Sequence, residues 1–226
     1  MEPLLLSIRL ALSVSAILFV LGMPLAYWLA YSPWRGKFLV ESVVALPLVL
    51  PPTVLGFYVL VAMGPRGPLG RFWQVAFGHG LAFTFTGLVL ASVLYSLPFT
   101  VQPLVASFET IDRKLLDASA VLGAGRLRTF WRVILPMSMP GILTALVLSF
   151  AHTLGEFGVV LMVGGNLAGV TRTVSIDIYD RVQSLDYAGA NNMALVLLAF
   201  SFVALSIVYG VNRRVGRRVW SPWPAK

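Results

Sequence analysis

Apolar and polar positions separate into long blocks along this chain, with little of the short-period mixing of a soluble domain. Five apolar runs stand out, at 10–31, 42–63, 81–107, 139–163 and 193–211. Each is close to or above the roughly 20 residues that a helix needs to cross about 30 Å of hydrocarbon. In lipid the backbone must satisfy its own hydrogen bonds, and runs this uniformly apolar lack the alternation of barrel strands. The pattern predicts an all-α integral membrane protein of five transmembrane helices, with one membrane domain over residues 1–226. Between the runs lie a Gly- and Pro-rich connection at 64–80, a charged loop at 108–138 and a mixed loop at 164–192.

Composition agrees with a bilayer protein: 58% of residues are hydrophobic and only 12% charged, about half the charge of a typical soluble domain. The first run continues past Leu21 to Tyr31, and Glu2 precedes the first cation, Arg9, so it reads as a retained membrane helix and not a cleaved signal. A formal net charge of +8 would suit nucleic acid. The cations, however, gather at the ends of apolar runs, as membrane topology requires, and no nucleic-acid partner is expected. With the N-terminus outside, inner segments hold twelve of the 17 basic residues, from Arg35 and Lys37 through Arg113, Lys114, Arg126, Arg128 and Arg132 to the tail and Lys226. The outer segments hold Arg9, Arg66, Arg71, Arg172 and Arg181. This bias places the N-terminus out and the C-terminus in. Without cysteine, disulfides and thiolate chemistry are excluded.

The charged loop 108–138 is therefore cytoplasmic. Within it Ile111, Leu115, Ala118 and Leu122 recur at i, i+4, i+7 and i+11, an apolar stripe on a short helix that Asp112 can cap. Gly123 and Gly125 permit a reversal, and 127–133 can form a second short helix before Pro136. The expected product is a helical elbow too short to span.

Its spacing resembles the EAA loop of ABC importer permeases, Glu-Ala-Ala, three residues, Gly, nine residues, Ile-x-Leu-Pro. Here the positions are Asp117-Ala118-Ser119, Gly123 and Val133-Ile134-Leu135-Pro136. All intervals are kept, while Asp117 stands for Glu, Ser119 for the second Ala and Val133 for Ile. The resemblance implies a type I ABC importer permease fold, and a loop (Leu115, Asp117, Ala118, Ser119, Leu122, Gly123, Val133, Leu135, Pro136) seated in a groove of a cytoplasmic ATPase.

Two further segments are similar to molybdate importer permeases. Leu46-Pro47-Leu48-Val49-Leu50-Pro51-Pro52-Thr53-Val54-Leu55-Gly56-Phe57 looks like their second helix, and Leu154-Gly155-Glu156-Phe157-Gly158 with Gly165-Asn166 and Thr171-Arg172-Thr173 like their fourth helix and outer loop. The likeness runs from about Ala11 to Arg214. It implies a pore for molybdate or tungstate, with sulfate/thiosulfate permeases as the neighbouring alternative. Pro47, Pro51 and Pro52 remove backbone donors and predict a kinked or interrupted second helix around Thr53. That interruption is either a gate or a static kink. Glu156 is the one acid well inside a predicted span, which makes it a functional candidate. His152 precedes it by one turn, so the two are expected to hydrogen-bond as an i, i+4 pair. An intramembrane carboxylate would repel a dianion, and a packing or gating role is favoured over oxyanion contact. An Arg is usual in the family where His152 stands.

Arg172 and Arg181 are either attractors for an oxyanion or for acids on a delivering protein, or simply solvated loop charges. Residues 174–185 fit a short helix or a strand equally. There is no Gly-x-Ser-x-Gly, no His-Glu-x-x-His and no Gly-x4-Gly-Lys-Ser/Thr, so ATP and Mg are expected on a separate subunit and the chain itself carries no cofactor. An ion-driven secondary transporter is the rival class, but no internal repeat and only one clear buried acid favour it. Five helices are few for a pore, and a second copy related by a two-fold axis would supply ten. The remaining partners expected are ABC ATPase subunits and an extracytoplasmic oxyanion-binding protein, around a permease of a prokaryotic cytoplasmic membrane.

Overall fold

A computed structural model describes residues 2–219; Lys226, counted above among the inner cations, lies outside them. The described chain is helical throughout its regular structure. Three helices are long and apolar enough to cross a membrane singly, and five spans result if each of two bent pairs is counted as one.

The core is a three-helix unit of α1 (Glu2–Tyr31), α5 (Phe85–Glu109) and α9 (Met139–Gly155). Along α1, Ser7, Ala11, Ser15, Gly22 and Ala26 share a buried face with Leu10, Val14, Leu18 and Leu29. Small residues on such a face let backbones approach where lipid offers no hydrophobic drive to associate. At Gly22 an added Cβ would stand 3.0 Å from Thr100 Cγ2 of α5, and at Gly141 of α9 it would collide with the Ser107 side chain. Aromatic packing closes the cytoplasmic end of this unit: Tyr27 meets the rings of Tyr31, Phe108 and Phe130, and the Tyr31 hydroxyl donates to the Phe108 carbonyl at 2.9 Å.

The second span is interrupted, as its prolines predict. It consists of α2 (Lys37–Val49) and α3 (Pro52–Met63), bent by 112°. Pro47 stays buried inside α2, whereas Leu50 and Pro51 turn extended at ψ of 135° and 136° and Pro52 opens α3. The missing N–H groups of two consecutive prolines explain why the break falls there.

The fourth run departs from the expectation of one continuous helix over 139–163. After α9 the backbone becomes extended at Glu156 (ψ 137°), and α10 (Gly158–Gly164) starts afresh. Gly155 and Gly158 flank the break and lower helix propensity, and α10 swings away to pack along α3. On the cytoplasmic side, the segment leading into α9 is bent from it by 72°.

Both outer connections hold helices that the sequence pattern did not resolve. The 64–80 stretch contains α4 (Pro68–Phe77), and 164–192 contains α11 (Val174–Gln183), so the open choice there is settled as helix. Ser7 Oγ accepts from Val174 N at 2.8 Å, satisfying one of the orphan donors at the start of α11. The last helix, α12 (Tyr187–Val219), carries the fifth apolar run and packs on α9 and α11, with most of its apolar stretch left exposed.

Candidate functional site

The sequence-derived candidates gather in two places. One is a cavity where the interrupted helices meet; the other is the elbow between α5 and α9.

At the first, α3 and α10 pack through glycine. A Cβ on Gly56 would stand 2.9 Å from Met162 Cβ, and one on Gly158 would stand 2.6 Å from Pro52 Cβ. The two breaks are thereby held side by side. They line a cavity of about 460 Å³ with Pro52, Thr53, Tyr95, His152, Glu156 and Met162 on its wall. Pro47 and Pro51 are not among its lining residues.

Glu156 and His152 do not pair, contrary to the helical spacing argument. Helix α9 ends at Gly155, so Glu156 leaves the register that would have set it one turn above His152. His152 bonds instead across to α5, with Nδ1 2.9 Å from Ser96 Oγ, which is itself 3.0 Å from Thr153 Oγ1. Its ring stacks on Phe99 at 3.8 Å between centroids and lies 4.8 Å from Tyr95. This is an immobilised imidazole. Glu156 is only 5% exposed, yet neither carboxylate oxygen has a hydrogen-bond partner of good geometry, with Ser92 the polar group beside it. A buried carboxyl left without partners is costly. Here that group faces the cavity.

The elbow is built by α6 (Arg113–Val121), α7 (Arg126–Thr129), a π-helical turn over Phe130–Ile134 and α8 (Leu135–Met137). Asp112 caps α6, accepting from Lys114 N at 2.9 Å. The helix ends in a left-handed Gly123 (φ 72°), with Gly123 N donating to Ala120 O at 2.9 Å and Ala124 N to Ser119 O at 3.0 Å. These are the two reverse bonds of a Schellman C-terminus, which requires positive φ at the glycine. The π turn lies just ahead of Pro136, with Leu135 N reaching back to Phe130 O. A proline cannot donate to the carbonyl four residues earlier, and a wider turn accommodates that loss.

The apolar stripe read from the sequence turns outward. Only Ile111 is buried; Leu115 and Ala118 are exposed and Leu122 is 85% exposed, joined by Val121 and Leu127. Leu116 packs on the core instead, and Ser119 turns toward α7, where its Oγ lies 2.8 Å from Thr129 Oγ1. Asp117 is exposed and makes no ion pair among the described residues. Val133 is half-buried, Leu135 packs against the core and Pro136 is exposed.

Outside, Arg172 and Arg181 are already engaged within the chain. Arg172 bonds Asn166 Oδ1 at 2.6 Å and approaches Asp180 at 3.7 Å. Arg181 bridges Asp177 and Asp186, each at 2.9 Å. The guanidinium is held above its usual range, chiefly by the bond to Asp177, and Asp186 below its usual range, first by the Gly189 N–H and then by Arg181. Among the described residues no three His, Asp or Glu side chains group as metal ligands.

A family model described as the binding-protein-dependent transport system inner membrane component matches residues 22–221. The chain belongs to this family. It is accordingly a multi-pass permease of a bacterial inner membrane and not itself an ATPase, within a transport complex that uses an ATPase and a binding protein. Among curated relatives, it is 50% identical over 208 residues to the molybdenum transport system permease protein ModB of Azotobacter vinelandii, covering 92% of each chain. It is 37% identical to the protein of that name in Escherichia coli (strain K12), over 89% of this chain and 90% of the other. The sulfate transport system permease protein CysT of Salmonella typhimurium (strain LT2) is 33% identical, over 88% of this chain and 72% of its own length. Solved structures share the fold at low identity. A bacterial alginate ABC importer matches with a TM-score of 0.72 at 20% identity, covering 96% of this chain and 80% of that one. The MetNI methionine ABC transporter in an inward-facing conformation gives 0.72 at 16%, covering 94% of each chain.

No local signal marked Tyr95 as part of the cavity wall or Ser96 as the partner of His152, because both reach the site through the packing of α5. Thr129, the partner of Ser119, was likewise invisible to the motif.

Proposed function

We propose that this chain is the permease subunit of a molybdate importer, working as a two-fold pair of copies. The observation that carries the substrate is the 50% identity, over 92% of both chains, to a permease named for molybdenum transport. The elbow supplies the drive. Its exposed Leu115, Ala118, Leu122 and Leu127 form an apolar surface rimmed by Asp117, Arg126 and Arg128, suited to a groove on a cytoplasmic ATPase. The core-facing side of the same elbow, through Leu116, Phe130 and Leu135, is packed against α1 and α5. A shift of the ATPase groove is therefore passed to the ends of membrane helices through packed side chains. ATP and Mg act on the ATPase subunit, and each ligand works by favouring one conformation of the assembly.

The cavity at Pro52, Thr53, His152 and Glu156 lies at the two backbone breaks, where φ and ψ can change without breaking helical hydrogen bonds. We assign it the role of gate. Glu156 there serves packing or gating, and an oxyanion-binding protein delivers the substrate at the outer face. Arg172 and Arg181 contribute to the outer loop by holding α11 together through Asp177, Asp180 and Asp186.

The deciding experiment reconstitutes the complex with its ATPase and binding protein in liposomes and follows labelled molybdate uptake against unlabelled tungstate and sulfate. ATP-dependent uptake, competed by tungstate and not by a tenfold excess of sulfate, is the expected result. Preferential sulfate uptake would move the chain to the sulfate permeases, and uptake without ATP would overturn the mechanism.

A further inference from the structure

Helix α4, Pro68 to Phe77, belongs neither to the spans nor to the gate. Three faces can be distinguished on it. Gly70 is buried against α3, where an added Cβ would collide with the Gly64 carbonyl oxygen, and Trp73 packs into the cluster of Val59, Met63 and Leu81. Leu69, Phe72 and Val75 point away from the protein, with Phe72 69% and Val75 89% exposed. On a 3.6-residue period these fall on one side, and Arg71 and Gln74 form the polar edge beside them.

The helix cannot leave the membrane boundary. It follows the end of α3 at Met63 by four residues, Gly64 to Gly67, and precedes α5 by seven, both neighbours being apolar membrane segments. A chain covers at most about 3.3–3.6 Å per residue, so the entry to α4 lies within about 15 Å of the end of α3. The charges add a second argument. Arg66 and Arg71 are exposed, and the sequence has no acid between Glu41 and Glu109. Neither arginine makes an ion pair with any described residue. Any anionic partner for them lies outside the described residues.

We propose that α4 lies flat in the outer interface of the bilayer, its Leu69, Phe72 and Val75 face immersed among acyl chains while Arg66 and Arg71 bind lipid phosphate. An in-plane amphipathic helix with aromatic and basic residues has this arrangement, and guanidinium groups pair well with phosphate. It would fix the depth and tilt of α3, and hence of the gate to which α3 contributes Pro52 and Thr53.

The chain has no cysteine, so a single label introduced into this subunit, attached before assembly with the ATPase, meets no background from its own chain. Spin labels on Phe72→Cys, Val75→Cys and Gln74→Cys are read in the assembled transporter, in vesicles of phosphatidylethanolamine and phosphatidylglycerol, against dissolved oxygen and a water-soluble nickel chelate. The expected result is a several-fold higher oxygen-to-nickel accessibility ratio at positions 72 and 75 than at 74. Equal ratios with free nickel access would place the face in water and overturn the proposal. Exclusion of both reagents would assign the face to a second copy or to the delivering protein, and would overturn it equally. For the phosphate contact, the label at position 72 is expected to sit at a different depth in phosphatidylglycerol vesicles, where the phosphate charge is uncompensated, than in phosphatidylcholine, where choline offsets it. Arg66→Gln with Arg71→Gln is expected to remove that difference. Equal depths without the arginine substitutions would refute this part, as would a difference unchanged in the double variant.

Discussion

Ser119 Oγ lies 2.8 Å from Thr129 Oγ1, tying the first helix of the cytoplasmic elbow to the second. The signature that this loop resembles has an alanine at the serine position, which could not make this hydroxyl contact. Ser119→Ala and Thr129→Val are each expected to loosen the elbow, with a coupling of about 0.5–1.5 kcal/mol in a double-mutant cycle. Amide hydrogen exchange over 113–129 reads it. Additive effects of the two substitutions would show that the bond contributes nothing.

Gly123 sits at φ 72° with nothing within 4 Å of where a Cβ would stand. The penalty of substitution is therefore backbone strain alone, on the order of 1–3 kcal/mol for a β-branched residue. Gly123→Val is expected to lose co-purification of the ATPase while inserting normally into membranes, and Gly123→Asn, which tolerates positive φ better, to retain most of it. ATPase recovered in full with the valine variant would sink the docking role.

Gly56 and Gly158 hold α3 against α10, and their substitution tests whether the cavity depends on that contact. Gly158→Val should destabilise the detergent-solubilised complex by about 1–3 kcal/mol through overpacking against Pro52. Thermal unfolding measures it, with Gly80→Val as comparison, where φ is not positive and no atom lies within 4 Å of an added Cβ. Similar losses at both positions would mean that the contact with Pro52 is not at work.

Glu156 is buried, and neither of its oxygens has a hydrogen bond of good geometry, with Ser92 the polar group beside it. Glu156→Gln keeps the shape and removes the charge, so the melting temperature is expected to hold or rise. If uptake falls while stability holds, the carboxyl acts in gating. A large drop in melting temperature would instead reveal a charge that the fold requires.

Asp186 gives a pH signature in the outer loop. Its folded value lies below its unfolded one, so its contribution to stability is present above the unfolded value, about 3.9, and is lost as pH falls through the folded value. Hydrogen exchange of residues 177–190 in wild type and Asp186→Asn should differ at pH 7 and converge well below pH 4. A difference that persists undiminished at the lowest pH would exclude this linkage.

Much of the chain was legible in one dimension. Apolar runs of bilayer length fixed the helices, because hydrocarbon leaves the backbone no other partner than itself. Adjacent prolines located the break in the second span, and an acid, a glycine and Leu-Pro at fixed intervals located the elbow, because caps, positive φ and missing donors are local properties. The rest depended on what meets across space. The sequence alone set His152 and Glu156 one turn apart, and the tertiary structure separated them by ending α9 at Gly155 and laying α10 along α3. It also decided that the apolar stripe of the elbow faces outward and that Arg181 is held by Asp177 and Asp186. Periodicity identifies which residues share a face, but only packing against distant elements decides where that face points.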